Sequence, residues 1–149
     1  MMSSSRRFMS LGRSDRRLVL ETASLMAVVW IGIRLLRFQT LRRLLNQFVA
    51  SPSAGNIHQP NLSAIDRVPW AISAVAARWP SATCLVQAIA ADVLLRRNGL
   101  ACELRLGVRV GGHALPLEAH AWVECNGAVA IGALEDLSTF ELVPAPRSP

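Results

Sequence analysis

The chain has 149 residues, 52% hydrophobic and 17% charged, which suits one folded domain with a real core and excludes global disorder. Its formal net charge is +6, and all 16 basic residues are arginine. The arginines are scattered in pairs (Arg6-Arg7, Arg16-Arg17, Arg42-Arg43, Arg96-Arg97) without the interleaved aromatics that stack bases, so nucleic acid is set aside as a partner.

Residues 1 to 12 read as a frayed tail. A helix is expected over about 15 to 37, with Ser14-Asp15 as its N-cap. Its apolar run, Leu18 to Ile33, carries Glu21 and is shorter than the roughly 20 residues that span a bilayer. "RLLRFQTLRRLL" follows where a signal peptide would place a small-residue cleavage site. A buried or interfacial helix is therefore expected, with membrane contact the lesser alternative. A second helix, about 39 to 50, puts Leu41, Leu44, Leu45 and Phe48 on one face and Arg42, Arg43 and Asn46 on the other.

"SPSAGNIHQPNLS", 51 to 63, is a loop that divides an N-terminal helical segment, 1 to 50, from a core at 64 to 143. The core opens with a helix over about 64 to 78, interrupted near Pro69. A helix over about 82 to 98 follows, stopped by Asn98-Gly99. The period then changes to two: strands at 101 to 110, 119 to 125 and 128 to 133, with Asn126-Gly127 as a hairpin turn between the last two. One more short element precedes a Pro-rich end. Helices followed by a small antiparallel sheet make an α+β fold.

The three cysteines, Cys84, Cys102 and Cys125, are an odd number without CxxC spacing. Neither a disulfide framework nor a structural zinc site is expected, and the usage suits a reducing cytoplasm. Cys102 and Cys125 read as strand-packing thiols. Cys84 differs, because it sits at a helix start, where unpartnered amides and the helix dipole stabilise a thiolate. A cysteine nucleophile also needs a histidine to take and return the proton, and a third group to orient the imidazole. Of the three histidines, His58 lies in the polar loop and His113 follows a Gly-Gly pair. His120 lies at the start of a regular strand, a rigid place for a base.

Helix with cysteine, strand, then histidine on a second strand is the order of papain-like and transglutaminase-like hydrolases. The residues themselves resemble one family. "CLVQAIAADVLLRRNGLACELRLGVRV" followed by "EAHAWVECNGAVAIGA" is similar to the B2-type leader peptidases of lasso peptide biosynthesis, which belong to the transglutaminase-like superfamily. The resemblance covers about residues 65 to 140 and rests most on the Cys84-Leu85 and His120-Ala121-Trp122-Val123-Glu124 blocks. It implies a transglutaminase-like or papain-like core preceded by two helices. It implies a cysteine peptidase that needs no cofactor or metal and removes the leader from a ribosomally made precursor peptide in the cytoplasm. Cys84 would attack the scissile carbonyl, His120 would act as base and then acid, and amides at the helix start would hold the oxyanion. The implied partners are a separate B1-type leader-binding protein, the precursor, and the asparagine-synthetase-like cyclase. The Arg-bearing helices and the apolar 18 to 33 face are the surfaces expected to dock them.

The third catalytic member is harder to place among the ten carboxylates. Asp92 lies two turns beyond Cys84, and Glu118 and Glu124 lie along the strand of His120. Pairing Cys125 with Ala128 and counting back puts Ala133 opposite His120. The family's acid is expected on or just past this return strand, where Gly132 stands instead. Asp136 is preferred over Glu135, and a dyad oriented by water or a backbone carbonyl stays open. Two other functions stay open with it: a catalytically weak or inactive peptide-binding scaffold, and another Cys-His acyl-transfer enzyme such as a transglutaminase or amidase.

Overall fold

A computed structural model describes residues 12–50, 60–109 and 117–143, apart from the side chains of Phe48 and Ala50. His58, His113, the tail at 1–11 and most of the 51–63 loop lie outside the described residues. The elements run α1 (Arg13–Leu35), α2 (Phe38–Ala50), α3 (Ala64–Ala76), α4 (Cys84–Arg97), β1 (Cys102–Arg109), β2 (Glu118–Cys125) and β3 (Ala128–Ile131). A 3-10 turn (Leu137–Thr139) and β4 (Glu141–Leu142) follow. The strands form one antiparallel sheet in the order β3-β2-β1-β4, so the fold is α+β as expected.

α4 is the centre. It buries Val86, Ala88, Ile89, Ala90, Ala91, Val93, Leu94 and Leu95, which cover nearly its whole circumference. A helix apolar all round must be enclosed, and here the other helices lie on one side and the sheet on the other. α1 contributes Val19, Met26 and Val29 at helical spacing, and α3 contributes Val68, Ala71, Ile72 and Val75. β2 contributes Ala121, Val123 and Cys125, its alternate residues. These belong to one contiguous core, each large aliphatic chain supplying about 1.5–3 kcal/mol of burial. The N-terminal helices are thus packed onto the same core as α4 and the sheet.

Beyond the length of α1, four expectations change. Pro69 does not interrupt its helix: α3 is continuous from Ala64 to Ala76, with Val68, Ala71 and Ile72 almost fully buried on either side of the proline. Tertiary packing holds the turn that the missing N–H weakens. Leu44 does not share the buried face of Leu41 and Leu45 but is half exposed. With Leu25, Val28, Ile31, Leu35 and Leu36 it lines a groove of about 640 Å³ between α1 and α2. α1 reaches 23 residues, long and apolar enough to cross a membrane by length and composition, and a third of its apolar window is buried inside the protein.

The third change is at the hairpin. Asn126 (φ +53°) and Gly127 (φ +81°) make the expected turn, and Cys125 pairs with Ala128. Glu124 pairs with Val129, but Val123 pairs with Ile131. Ala130 is the extra residue of a β-bulge, so the uninterrupted count that put Ala133 opposite His120 is one residue out beyond it. The fourth concerns the thiols. Cys102 and Cys125 are not free packing groups but form a disulfide, because the β1–β2 register sets them directly opposite with Cα atoms 4.1 Å apart. That register is fixed across a long connection, which cysteine spacing along the chain does not report.

Candidate active site

Cys84 is the first residue of α4 and the free cysteine of the three. Trp79-Pro80-Ser81 turns the chain into it, and Trp79 packs on Trp30 of α1 with ring centroids 5.9 Å apart. The N-cap residue, Thr83, is extended and makes no side-chain cap bond. The amides of Cys84, Leu85 and Val86 therefore open the helix without partners inside it, which favours negative charge at this end. Gln87 steadies the approach: its amide donates to the Thr83 carbonyl at 3.1 Å and its side-chain Nε2 to the Ala82 carbonyl at 2.7 Å.

β2 carries His120 on the face opposite Ala121 and Val123. The imidazole lies beside Trp122 (centroids 6.1 Å, planes 15° apart) and Phe140 (5.8 Å). Its Nε2 is 2.8 Å from the carbonyl oxygen of Gly132. A carbonyl oxygen only accepts, so Nε2 bears the proton and donates it there, and in the neutral ring Nδ1 is the free base.

Cys84, Gln87 and Ala88 from α4, His120 and Ala121 from β2, and the strand exit Ile131 to Leu134 line one cavity of about 250 Å³. The structure therefore brings the two principal sequence candidates, Cys84 and His120, to one site. Among the described residues no hydrogen bond joins them directly.

Asp136 is placed differently. Its carboxylate hydrogen bonds to the Arg109 guanidinium at the end of β1. That bond, with Arg109's charge and the nearby His120 adding to it, holds the Asp136 carboxyl below the usual carboxylate range. Arg109 also donates to Glu118 and Thr139 and lies over the Phe140 ring, 4.7 Å from its centroid. Its two carboxylate partners, Glu118 first, raise its own pKa. Asp136 is thus tied to a network beside His120, without a hydrogen bond to the imidazole. Glu135 is exposed on the same turn. Asp92 is bound to Arg96 at 3.4 Å, and burial pushes its pKa up against that attraction. Glu124 accepts from Arg105 and from the Trp122 indole, which makes it a partner within the sheet.

The residue sequence reasoning undervalued is Gly132. It holds φ +81°, and a Cβ there would meet the Ala121 carbonyl oxygen at 2.8 Å and Trp122 Cβ at 2.9 Å. Only glycine fits on both counts. A lone glycine near the end of the expected strand was its visible signal.

No described group of histidine, cysteine and acidic residues could hold a metal ion. A thiol at a helix start, an imidazole across the cavity and free amides nearby can support attack on an acyl carbon. No curated protein and no solved structure matches the chain. A family model for the transglutaminase-like superfamily matches residues 27–144, which include α2 to β4 and the last part of α1. The chain therefore belongs to the transglutaminase-like superfamily, whose members include cysteine peptidases and acyltransferases.

Proposed function

We propose that this protein is a cysteine peptidase that removes the leader from a ribosomally made lasso precursor peptide, together with a separate B1-type leader-binding protein. The observation that carries the chemistry is the shared cavity of Cys84 and His120. The substrate class rests on the resemblance of the Cys84-Leu85 and His120 to Glu124 blocks to B2-type leader peptidases.

In this reading Nδ1 of His120 takes the Cys84 proton and the thiolate attacks the scissile carbonyl. The oxyanion that forms meets the first amides of α4. His120 then protonates the leaving amine, and water hydrolyses the acyl-enzyme. The apolar groove between α1 and α2, bordered by the Arg97–Glu21 ion pair, is the surface we assign to the B1-type partner. The precursor is first available in the cytoplasm, where we place the reaction; a disulfide such as Cys102–Cys125 is unusual there.

The test is leader cleavage by purified protein, B1-type partner and precursor. Wild type should cleave, and Cys84→Ala and His120→Ala should not. Full cleavage by Cys84→Ala would remove this mechanism. One observation favours a second reading, a peptide-binding scaffold that does not turn over: among the described residues no carboxylate is hydrogen bonded to His120. Precursor binding without cleavage by wild type would select it.

A further inference from the structure

The cavity poses a chemical question. A cysteine–histidine pair works only if the imidazole presents an unprotonated nitrogen to the thiol and its other nitrogen is held. The third group usually supplies that hold, and among the described residues no acid is hydrogen bonded to the imidazole: Glu135 is exposed on its turn and the others are engaged elsewhere. Asp136 and Glu118 are bound by Arg109, Glu124 by Arg105 and Trp122, and Asp92 by Arg96.

We propose that the main-chain carbonyl of Gly132 takes the place of the missing acid and is the positioning group for His120. Three observations carry this. The carbonyl accepts from Nε2 at 2.8 Å, and a carbonyl can do so only if Nε2 is the protonated nitrogen. Gly132 stands at φ +81°, a backbone conformation side-chain-bearing residues rarely adopt, and its missing Cβ leaves room for the Ala121 carbonyl and Trp122. The bulge at Ala130 displaces the strand exit by one residue, which gives this stretch its own register relative to β2. Hydrogen bonding and backbone geometry thus agree: the strand exit turns a main-chain carbonyl, not an acidic side chain, to the imidazole.

The function of Gly132 is therefore selection of a tautomer. Nε2–H is fixed, and Nδ1 is left as the proton acceptor toward Cys84. A neutral carbonyl orients the ring as a carboxylate would, but it offers no full negative charge to the imidazolium that forms during attack. The pair is expected to be slower than one backed by an acid.

This inference rests on the assignment of Cys84 and His120 as reacting partners, and its test needs neither precursor nor partner protein. Nitrogen-15 NMR of the full chain reports the tautomer of each of the three histidines, with His120 assigned by its loss in His120→Gln. The wild type should show His120 as Nε2–H, and an Nδ1–H tautomer would overturn the proposal. Replacing Ala133 by L-lactic acid converts the Gly132 carbonyl to an ester, a weaker acceptor, and changes no side chain. Among the described residues the Ala133 amide donates no hydrogen bond that the change would remove. The ester should lower the Nε2–H share of His120. It should also slow alkylation of Cys84, the free thiol, about three- to tenfold at neutral pH, the range expected when one hydrogen bond weakens. An unchanged tautomer in the folded ester variant overturns the proposal. So does a tautomer that shifts in Asp136→Asn and not in the ester, because the acid would then be the orienter. If tautomer and alkylation behave as expected while no precursor is cleaved, the peptidase reading fails and this one stands.

Discussion

The two ends of the β1–β2 ladder are built differently. One end is closed. Cys102 and Cys125 are bonded to each other, Asn126-Gly127 makes a two-residue turn, and the Asn126 amide reaches the Ala101 carbonyl at 3.4 Å. The other end is open and polar. Arg109 faces Glu118, Gly107 faces His120, and the cavity with Cys84 lies beside them. The closed end has few adjustable groups, whereas the open end is held by partly exposed ion pairs that each contribute little in water. Stability and chemistry are thus kept apart by the length of a strand. The closed end still serves the site, because a one-residue slip at Cys125 would exchange the faces of β2 and take His120 from its place beside Phe140 and the Gly132 carbonyl.

The sharpest break of this comparison is at the open end. Cys84→Ala should cut any acyl-transfer or peptidase rate by at least about 10⁴-fold and leave the melting temperature within a degree or two, measured by cleavage assay and calorimetry. A large fall in melting temperature would mean that the site end also carries the fold. Cys102→Ser tests the closed end. The two cysteines lie 23 residues apart, so opening this loop should cost about 3 kcal/mol in urea unfolding under oxidising conditions. The protein that remains folded should still alkylate at Cys84 at the wild-type rate. Unchanged stability would show that the turn alone closes this end.

Gly127→Ala is the smaller probe of the same place. Nothing lies within 4 Å of a Cβ there, so its cost is purely conformational, about 1 kcal/mol for a residue at φ +81°. The smallest effect is expected from Arg109→Gln. Asp136 has a lowered pKa in the folded state, so its bond to Arg109 stabilises above the ordinary carboxylate range. That stability is lost as pH falls through the lowered value. The variant should flatten this part of the melting-temperature profile below about pH 4 and differ less from wild type in acid than at neutral pH.

Much of this was legible in the sequence, for reasons specific to each element. α4 declared itself by its length and its Asn98-Gly99 stop, and the hairpin by Asn126-Gly127, where local chemistry decides. Cys84 and His120 were each ambiguous alone, and their order along the chain brought them forward. The disulfide was missed because it depends on a register between strands joined by a long connection. The bulge was missed because alanine at 130 carries no signal of its own; packing of Ile131 against the core fixes the ladder beyond it. An acidic side chain was the first choice for the orienting group and a backbone carbonyl the alternative; among the described residues the group hydrogen bonded to His120 is a carbonyl, which every residue carries. Its position depends on a backbone angle that the sequence reveals only as a glycine.

Gly107 leads further. Its absent side chain leaves space filled by Phe140 Cβ, 2.8 Å from where a Cβ would stand, and by the Trp122 ring at 2.9 Å. These two aromatics also flank His120. The three positions are thus one packing unit rather than three independent choices. A lineage that gained a side chain at 107 would have to shrink an aromatic in the same step or pass through a misaligned histidine. Drift at this site is therefore channelled: the order in which substitutions arrive matters as much as which ones arrive.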